Sequence, residues 1–111
     1  MAHEPPQRGE IWIVRFGPPT GGEIQKTRPA LVLSNDTANA LLNRVQVVPI
    51  SSRITRLYPS EGHVTLKGER RKAMADQITT ISKLRLQRRQ RRLSREEMVA
   101  VGRVVGTQLG L

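Results

Sequence analysis

Polar residues that could do chemistry come in three short clusters, each at the start or end of an apolar run. The first lies in GGEIQKTRPA (21–30), which carries Glu23, Lys26 and Arg28 in and just after a glycine-rich loop. Pro29 favours an extended conformation for Arg28 and would fix the direction of its guanidinium group at a strand entrance. A guanidinium group can bind two phosphate oxygens at once, so this arginine suits phosphate chemistry. A solvated strand edge would account for these residues equally well.

The second cluster is VVPISSR (47–53), where an apolar strand gives way to Ser51, Ser52 and Arg53. Hydroxyl groups at a strand end bind phosphate oxygens or cap the following turn, and capping is the commoner use. The cluster therefore offers a phosphate contact without establishing one.

The third cluster is ADQITT, in which Asp76 and Gln77 precede a further strand, although Asp76 could simply make a turn. Other acid–base groups are scarce, since the histidines are His3, in the polar leader, and His63, and the chain has no cysteine. This composition excludes a cysteine nucleophile, a disulfide framework and a thiolate metal site, and it leaves little material for a histidine pair. We expect no metal ion and no cofactor.

Positive charge is concentrated in one quarter of the chain. The formal net charge is +10, and residues 67–95 hold eleven Lys or Arg against two acids. Such a field attracts polyanions, so nucleic acid or an acidic protein is the expected partner. A basic face that only aids solubility is the alternative. Within this stretch we expect QRRQRRLSR (87–95) to connect the last strand to a helix, with water-facing arginines that bind polyanions: Arg88, Arg89, Arg91 and Arg92.

The elements that must hold these residues form one predicted domain, 1–111, with 1–8 as a flexible leader. Ser94 and Glu97 make a capping box, and Trp12, Val14 and Phe16 should share one face of the first strand. Many short strands predict a small barrel or a strongly bent antiparallel sheet with a C-terminal helix. With neither a signal peptide nor a membrane segment, a cytoplasmic location is expected. The predicted strands are 10–16, 29–34, 44–50, 63–66, 72–75 and 77–82, and the predicted helices are 35–43 and 94–110.

Taken in order, these segments resemble the MazF/PemK toxins over almost the whole chain. RGEIWIVRF resembles the opening strand of that family, and GGEIQKTRPALVLS resembles its loop and second strand, with the Arg-Pro pair in place. VVPISS resembles the Pro-x-Thr-Ser segment, and ADQITTISKLRL resembles the stretch that holds an Asp-Gln pair before the closing helix. No single motif is specific, but four in the same order at matching spacing are.

The resemblance implies an SH3-like barrel or bent sheet, usually in a homodimer, that cleaves single-stranded RNA at a short sequence and is silenced by an acidic antitoxin. It also implies that Arg28 and Ser51 are catalytic. Ser51 is a departure, because the family has threonine there. Serine keeps the hydroxyl group and lacks the methyl group that restricts the threonine rotamer.

RNA carries its own nucleophile, the 2′-hydroxyl, so a ribonuclease needs only to orient it, take its proton and stabilise the phosphorane. Arg28 suits charge stabilisation, but it stays protonated and is a poor base. Glu23 is therefore the candidate base and Asp76 the second choice, while Ser51 would hold the phosphate. We expect the remaining cluster residues to contact RNA together with the four arginines named above: Lys26, Thr27, Ser52, Arg53, Asp76 and Gln77.

Two other functions use the same features. One is a non-catalytic nucleic-acid-binding module with an SH3-like barrel, for which the basic run alone would suffice. The other is a toxin of the same fold that acts on a protein target such as gyrase. The loop arginine together with the strand-end hydroxyl favours cleavage over both.

Overall fold

The computed structural model describes residues 4–17, 26–54 and 61–111. These residues form a strongly curled antiparallel sheet and a C-terminal helix. This confirms the predicted bent antiparallel sheet. The two 3₁₀ turns lie at Ala75–Gln77 and Lys83–Arg85. The strands are β1 (Glu10–Arg15), β2 (Thr27–Val32), β3 (Arg44–Ser51), β4 (Glu61–Leu66), β5 (Glu69–Met74), β6 (Thr79–Ser82) and β7 (Leu86–Arg92), and the helices are α1 (Asp36–Leu41) and α2 (Arg95–Leu109).

Strand β3 organises the sheet, whose order is β4-β5-β3-β2-β1-β7 with β6 also paired to β3. Along one edge β3 pairs with β2, and along the other it pairs first with β6 and then with β5. Pro49 and its neighbour Val48 lie between those last two ladders. Proline has no N–H group to donate, so it is tolerated where a ladder is interrupted. β3 therefore joins the two parts of the sheet.

Side chains alternate between the two faces of the strands and build a hydrophobic cluster on each. The prediction that Trp12, Val14 and Phe16 share a face is confirmed, because all three belong to the cluster on the face away from α2. The cluster against α2 contains Ile11, Leu31, Val48, Ile50, Val64, Leu66, Ala73, Ala75, Leu93, Val101 and Val105. The opposite cluster contains Val14, Ala30, Val32, Val45, Val47 and Ile81, with Trp12, Phe16 and Leu86 partly buried beside it.

Helix α2 begins at the predicted capping box. The Ser94 hydroxyl accepts from the Glu97 N–H (3.1 Å), and the Glu97 carboxylate accepts from the Ser94 N–H (2.9 Å). Val101 and Val105 are buried against the sheet, whereas Leu109, one turn further along the helix, is 51% exposed. Among the described residues no helix is long and apolar enough to cross a membrane.

Strand β7 is the main difference from the sequence prediction, which treated 87–95 as a connection. Leu86–Arg92 instead pairs with β1, with Trp12 opposite Arg89 and two register shifts along the ladder. The segment is almost without apolar residues, so no alternating pattern marks it as a strand. The predicted strand 77–82 is also shorter, because a 3₁₀ turn occupies its first residue.

The end of the predicted flexible leader is held in place by hydrogen bonds. The Gln7 N–H donates to the Glu10 carboxylate and the Arg8 N–H donates to the Asp36 carboxylate, both at 2.7 Å. The Gly9 N–H donates to the Val32 carbonyl at 2.8 Å. The chain is therefore fixed to β2 and α1 before β1 begins.

Candidate active site

The first two polar clusters meet where β2 and β3 part. Their ladder pairs Ala30 with Pro49 and goes no further. Two residues beyond on each strand, Arg28 and Ser51 come level with each other on the same face, because side chains alternate along a strand. A cavity of about 410 Å³ opens beside them, and it is lined by Lys26, Thr27, Arg28, Pro29, Ile50 and Ser52.

Lys26 closes the β1–β2 hairpin in a strained backbone conformation. The Phe16 N–H donates to the Lys26 carbonyl (2.8 Å), and the Lys26 N–H donates to the Gly17 carbonyl (3.0 Å). The φ angle of Lys26 is 61°, a left-handed value that is uncommon for a residue with a side chain. Strain of this kind persists only where surrounding structure enforces it, and it is concentrated at functional sites.

The described residues that line the cavity carry positive charge, with no acidic side chain among them. Arg28 is half-buried and Lys26 is exposed, and both line the cavity wall. Within the part of the chain that the structure describes, no acceptor forms a hydrogen bond or an ion pair with the Arg28 guanidinium group. Its donors are therefore available to an anion that enters the cavity, and a concave site of one charge sign concentrates such ions.

The two serines after β3 have different surroundings. Ser51 is only 5% exposed, and its hydroxyl oxygen accepts from the Arg53 N–H at 3.1 Å, which turns the chain after the strand. Ser52 is exposed and lines the cavity. Ser51 therefore has the capping bond that its residue type favours, and its O–H group remains the donor it can offer to another partner.

Asp76, the second choice for a base, is not among the described residues that line this cavity. Asp76 is exposed and Gln77 is half-buried, in the 3₁₀ turn between β5 and β6. Glu23 lies outside the described residues. Among those that are described, no three carboxylates or imidazoles come close enough together to hold a metal ion.

The β7 arginines are distributed over both faces of the sheet, and two of them form ion pairs. Arg89 contacts the buried Glu10 carboxylate (2.7 Å) and lies over the Trp12 ring, 5.3 Å from its centroid. Arg91, on the α2 side, binds Glu97 through both of its terminal nitrogens, at 2.6 and 3.1 Å. The expectation of four water-facing arginines is therefore confirmed only in part, because Glu10 in β1 and Glu97 in α2 each bind one of them.

Arg91 also changes the acidity of its partner. Its guanidinium group binds the Glu97 carboxylate and lowers the pKa of that group below its ordinary value of 4.5. The other two arginines are more available to solvent: Arg88 is exposed, and Arg92 is exposed while it donates to the Gln7 side chain at 2.8 Å.

A buried ion pair that was not predicted from the sequence lies next to the site. The Lys72 ammonium group lies 3.0 Å from the Glu61 carboxylate, and their side chains are only 11% and 7% exposed. Lys72 is also the register partner of Ser51. In the sequence Lys72 is one cation among many in a basic stretch, and only the pairing of β5 with β3 places it opposite Ser51.

Comparison with solved structures places this fold among bacterial toxins. The chain superposes on MazF from Deinococcus radiodurans with a TM-score of 0.82 and 26% identity, covering 98% of this chain and all of that one. It also matches a chain of a MazE–MazF crystal structure from the same organism, with a TM-score of 0.77 and 28% identity over 97% of this chain and 99% of that one.

Sequence comparison then gives the family. Residues 7–109 match a family model, which is described as "PemK-like, MazF-like toxin of type II toxin-antitoxin system". The chain therefore belongs to this toxin family, as the resemblance predicted. It is 38% identical to the endoribonuclease MazF9 of Mycobacterium tuberculosis, over 95% of this chain and 97% of that protein. It is 30% identical to the endoribonuclease MazF of Staphylococcus saprophyticus, over 95% and 92% of the two chains.

Proposed function

We propose that this toxin is an endoribonuclease that recognises a short sequence in single-stranded RNA and cuts it without a metal ion. RNA cleavage follows from family membership and from two relatives that are named endoribonucleases. The observation that supports the proposed chemistry is the cavity between β2 and β3, into which Arg28 offers donors that are unpaired within the described residues.

In the proposed reaction the 2′-oxygen attacks the neighbouring phosphorus and the bond to the 5′-oxygen breaks. The 2′-hydroxyl proton passes to a base, and the departing 5′-oxygen takes up a proton. The products are a 2′,3′-cyclic phosphate and a 5′-hydroxyl. Arg28 stabilises the negative charge that develops on the phosphorane, since preorganised charged donors in a partly closed site act mainly on the transition state.

The hydroxyl groups around the cavity position the phosphate in this proposal. Ser51 holds the scissile phosphate through its O–H group, and the cavity-lining Ser52 and Thr27 contact neighbouring groups of the RNA, as does Arg53. Glu23 is the proposed base, with Asp76 as second choice, because arginine does not give up its proton at any cellular pH.

The proposed partners follow from the family and from charge. An acidic antitoxin would bind a toxin of net charge +10, and MazE–MazF structures are among those that this chain resembles. Complementary charge raises the rate of such an association. A homodimer and a cytoplasmic location are further parts of the proposal.

The test is incubation of the purified protein with a long RNA of mixed sequence in EDTA, followed by mapping of new 5′ ends. We expect cuts at one short motif. A matched oligonucleotide with a single 2′-deoxy substitution before the scissile bond should bind and stay intact, because the nucleophile is missing. Cleavage of that oligonucleotide would exclude transesterification, and intact RNA in every reaction would favour a non-catalytic binder.

A further inference from the structure

A second cavity, the Trp12 cavity, lies on the face of the sheet away from α2, and the proposed mechanism does not use it. Its volume is about 470 Å³, within the range of about 300–1,000 Å³ that is usual for ligand pockets. No described residue lines both this cavity and the one beside Arg28. Five apolar or aromatic residues form much of its wall: Pro5, Pro6, Trp12, Ala40 and Leu86.

Exposed leucines extend this apolar surface beyond the cavity. Leu41, which follows Ala40 directly in α1, is 78% exposed. Leu84 follows the cavity-lining Lys83 and is 93% exposed. The Lys83 N–H donates to the Asn43 carbonyl (3.0 Å), so the turn that carries Leu84 lies against the segment that follows α1. Apolar side chains exposed together in this way are typical of a surface that binds another protein.

Positive charge surrounds the same surface. Lys83 lines the cavity, and Arg85 is exposed two residues further on. Arg44 is also exposed, and it faces Ser82, the residue before Lys83, in the ladder of β3 and β6. None of these three cations forms an ion pair with a described carboxylate. Although Glu4 is one of the wall residues, the rim therefore favours a partner that carries negative charge.

RNA suits this surface less well than a protein does. Bases stack on open aromatic faces, but the Arg89 guanidinium group already lies over the Trp12 ring, 5.3 Å from its centroid. RNA also has few aliphatic groups that could cover Leu41 and Leu84. A second copy of this chain would bring a net charge of +10 against the same cations and would be repelled. The chemistry that fits is an acidic protein segment with apolar side chains.

We propose that the Trp12 cavity and its two flanking leucines dock a segment of an acidic protein partner. Apolar side chains of that segment enter the cavity and cover the leucines, and its carboxylates pair with the three rim cations, Lys83, Arg44 and Arg85. This inference rests on the acidic partner of the proposed function and is independent of its cleavage chemistry. It adds the place on this chain, and the side chains, through which that partner binds.

The first experiment selects short peptides on the immobilised native protein from a phage-displayed library of random sequence. We expect enrichment of sequences that combine Asp or Glu with Leu, Ile or Phe. A synthetic copy of an enriched peptide without tryptophan is then titrated into the protein. Its binding should move the fluorescence of Trp12, the only tryptophan in the chain, to shorter wavelength, because apolar groups replace water around the ring.

The exposed leucines allow a test that does not disturb the core. Leu41→Ser with Leu84→Ser should weaken binding of that peptide about tenfold or more, because both side chains lose apolar burial in the complex. RNA cleavage by this leucine variant should be unchanged. The matched control is Val99→Ser with Leu109→Ser, since both residues are 51% exposed but lie on α2. It should keep the affinity within about twofold, and thermal unfolding checks that each variant is folded.

Each outcome supports or overturns the docking surface. Acidic peptides that bind the native protein and the leucine variant equally would overturn this surface and leave an acidic partner in place. Enriched peptides without acidic residues, or no enrichment, would overturn both. A shift of Trp12 fluorescence that an uncleavable 2′-deoxy oligonucleotide causes in the native protein and the leucine variant alike would make the cavity an RNA site instead. RNA cleavage is measured separately, so a failure of the ribonuclease function would leave these results unchanged.

Discussion

The surroundings of Arg28 suit the phosphate chemistry that is proposed for its guanidinium group. It is half-buried at the edge of a cavity and has no partner within the described residues. We expect Arg28→Ala to lower the single-turnover cleavage rate by about 100-fold or more, with only a modest decrease in RNA affinity, because the guanidinium group interacts mainly with charge that develops in the transition state.

Lys26 is the matched control for that measurement, since it lines the same cavity but is exposed. Lys26→Gln should weaken binding of an uncleavable 2′-deoxy oligonucleotide more than it slows the cleavage step. Arg28→Ala could instead reduce RNA affinity and leave the cleavage rate of bound RNA unchanged. Arg28 would then be a binding residue, and another donor would have to stabilise the charge on the phosphorane.

The sequence predicted the Arg28 side of the site better than the serine side. Pro29 restricts Arg28 locally, so its placement at a strand entrance can be read from neighbouring residues. The burial of Ser51 depends instead on β5, which comes about twenty residues later in the chain. Lys72 was missed for the same reason, because only the strand register brings it opposite Ser51.

Strand β7 carries two kinds of arginine. Two of them bind carboxylates of the fold, and two of them face solvent. Arg88 and Arg92 are exposed, whereas Arg89 and Arg91 are bound to carboxylates. We expect Arg88→Gln with Arg92→Gln to flatten the dependence of log affinity on log salt by about 0.7 for each phosphate that is no longer neutralised, and to leave the cut sequence unchanged.

The matched variant, Arg89→Gln with Arg91→Gln, should act on stability instead. Without Arg89 the buried Glu10 carboxylate loses its counter-charge but keeps the Gln7 and Trp12 donors, so the free energy of unfolding in urea should fall by about 1 kcal/mol. If both double variants changed the salt slope equally and neither changed stability, the ion pairs of β7 would contribute nothing to the fold.

The junction of β7 with α2 should make stability depend on pH. The pKa of Glu97 is lowered in the folded protein by its bond to Arg91, so the carboxylate stabilises the fold above its unfolded pKa of about 4.5. This contribution disappears as pH falls through the lower, folded pKa. Glu97→Gln keeps a capping residue and removes the charge.

We therefore expect Glu97→Gln to be less stable than the native protein at pH 7 and the difference to shrink below pH 4.5. Urea unfolding at a series of pH values measures it, and Glu96→Gln, one residue earlier in α2, is the control. A difference that stayed constant down to about pH 3 would show that the charge of Glu97 does not carry the effect.

For the whole molecule, the excess of positive charge is the dominant property. A net charge of +10 on 111 residues repels itself in the folded state, and salt screens that repulsion. We expect Tm to rise when NaCl increases from about 10 to 200 mM, a range over which the screening distance shortens severalfold. A fall in Tm over this range would mean that attraction within ion pairs outweighs the repulsion.

The bent sheet and closing helix could be predicted because the apolar patterns of β1, β3 and α2 are locally strong. β7 could not, because its residues are polar and its place is set by the free edge of β1. A short strand with alternating apolar residues can be predicted from its own sequence. The position of a strand that completes the edge of a sheet depends instead on the neighbouring strand with which it pairs.

The pairing of β1 with β7 also bears on when the sheet can form during synthesis of the chain. Arg92 bonds to Gln7, 85 positions earlier, and the final helix covers the core cluster on one face of the sheet. Contacts between such distant residues make folding slow and prevent it from finishing on a partial chain. While the ribosome is still making β7, the edge of β1 and this core remain open. The sheet that holds Arg28 and Ser51 therefore cannot close along β1 until β7 has been synthesised.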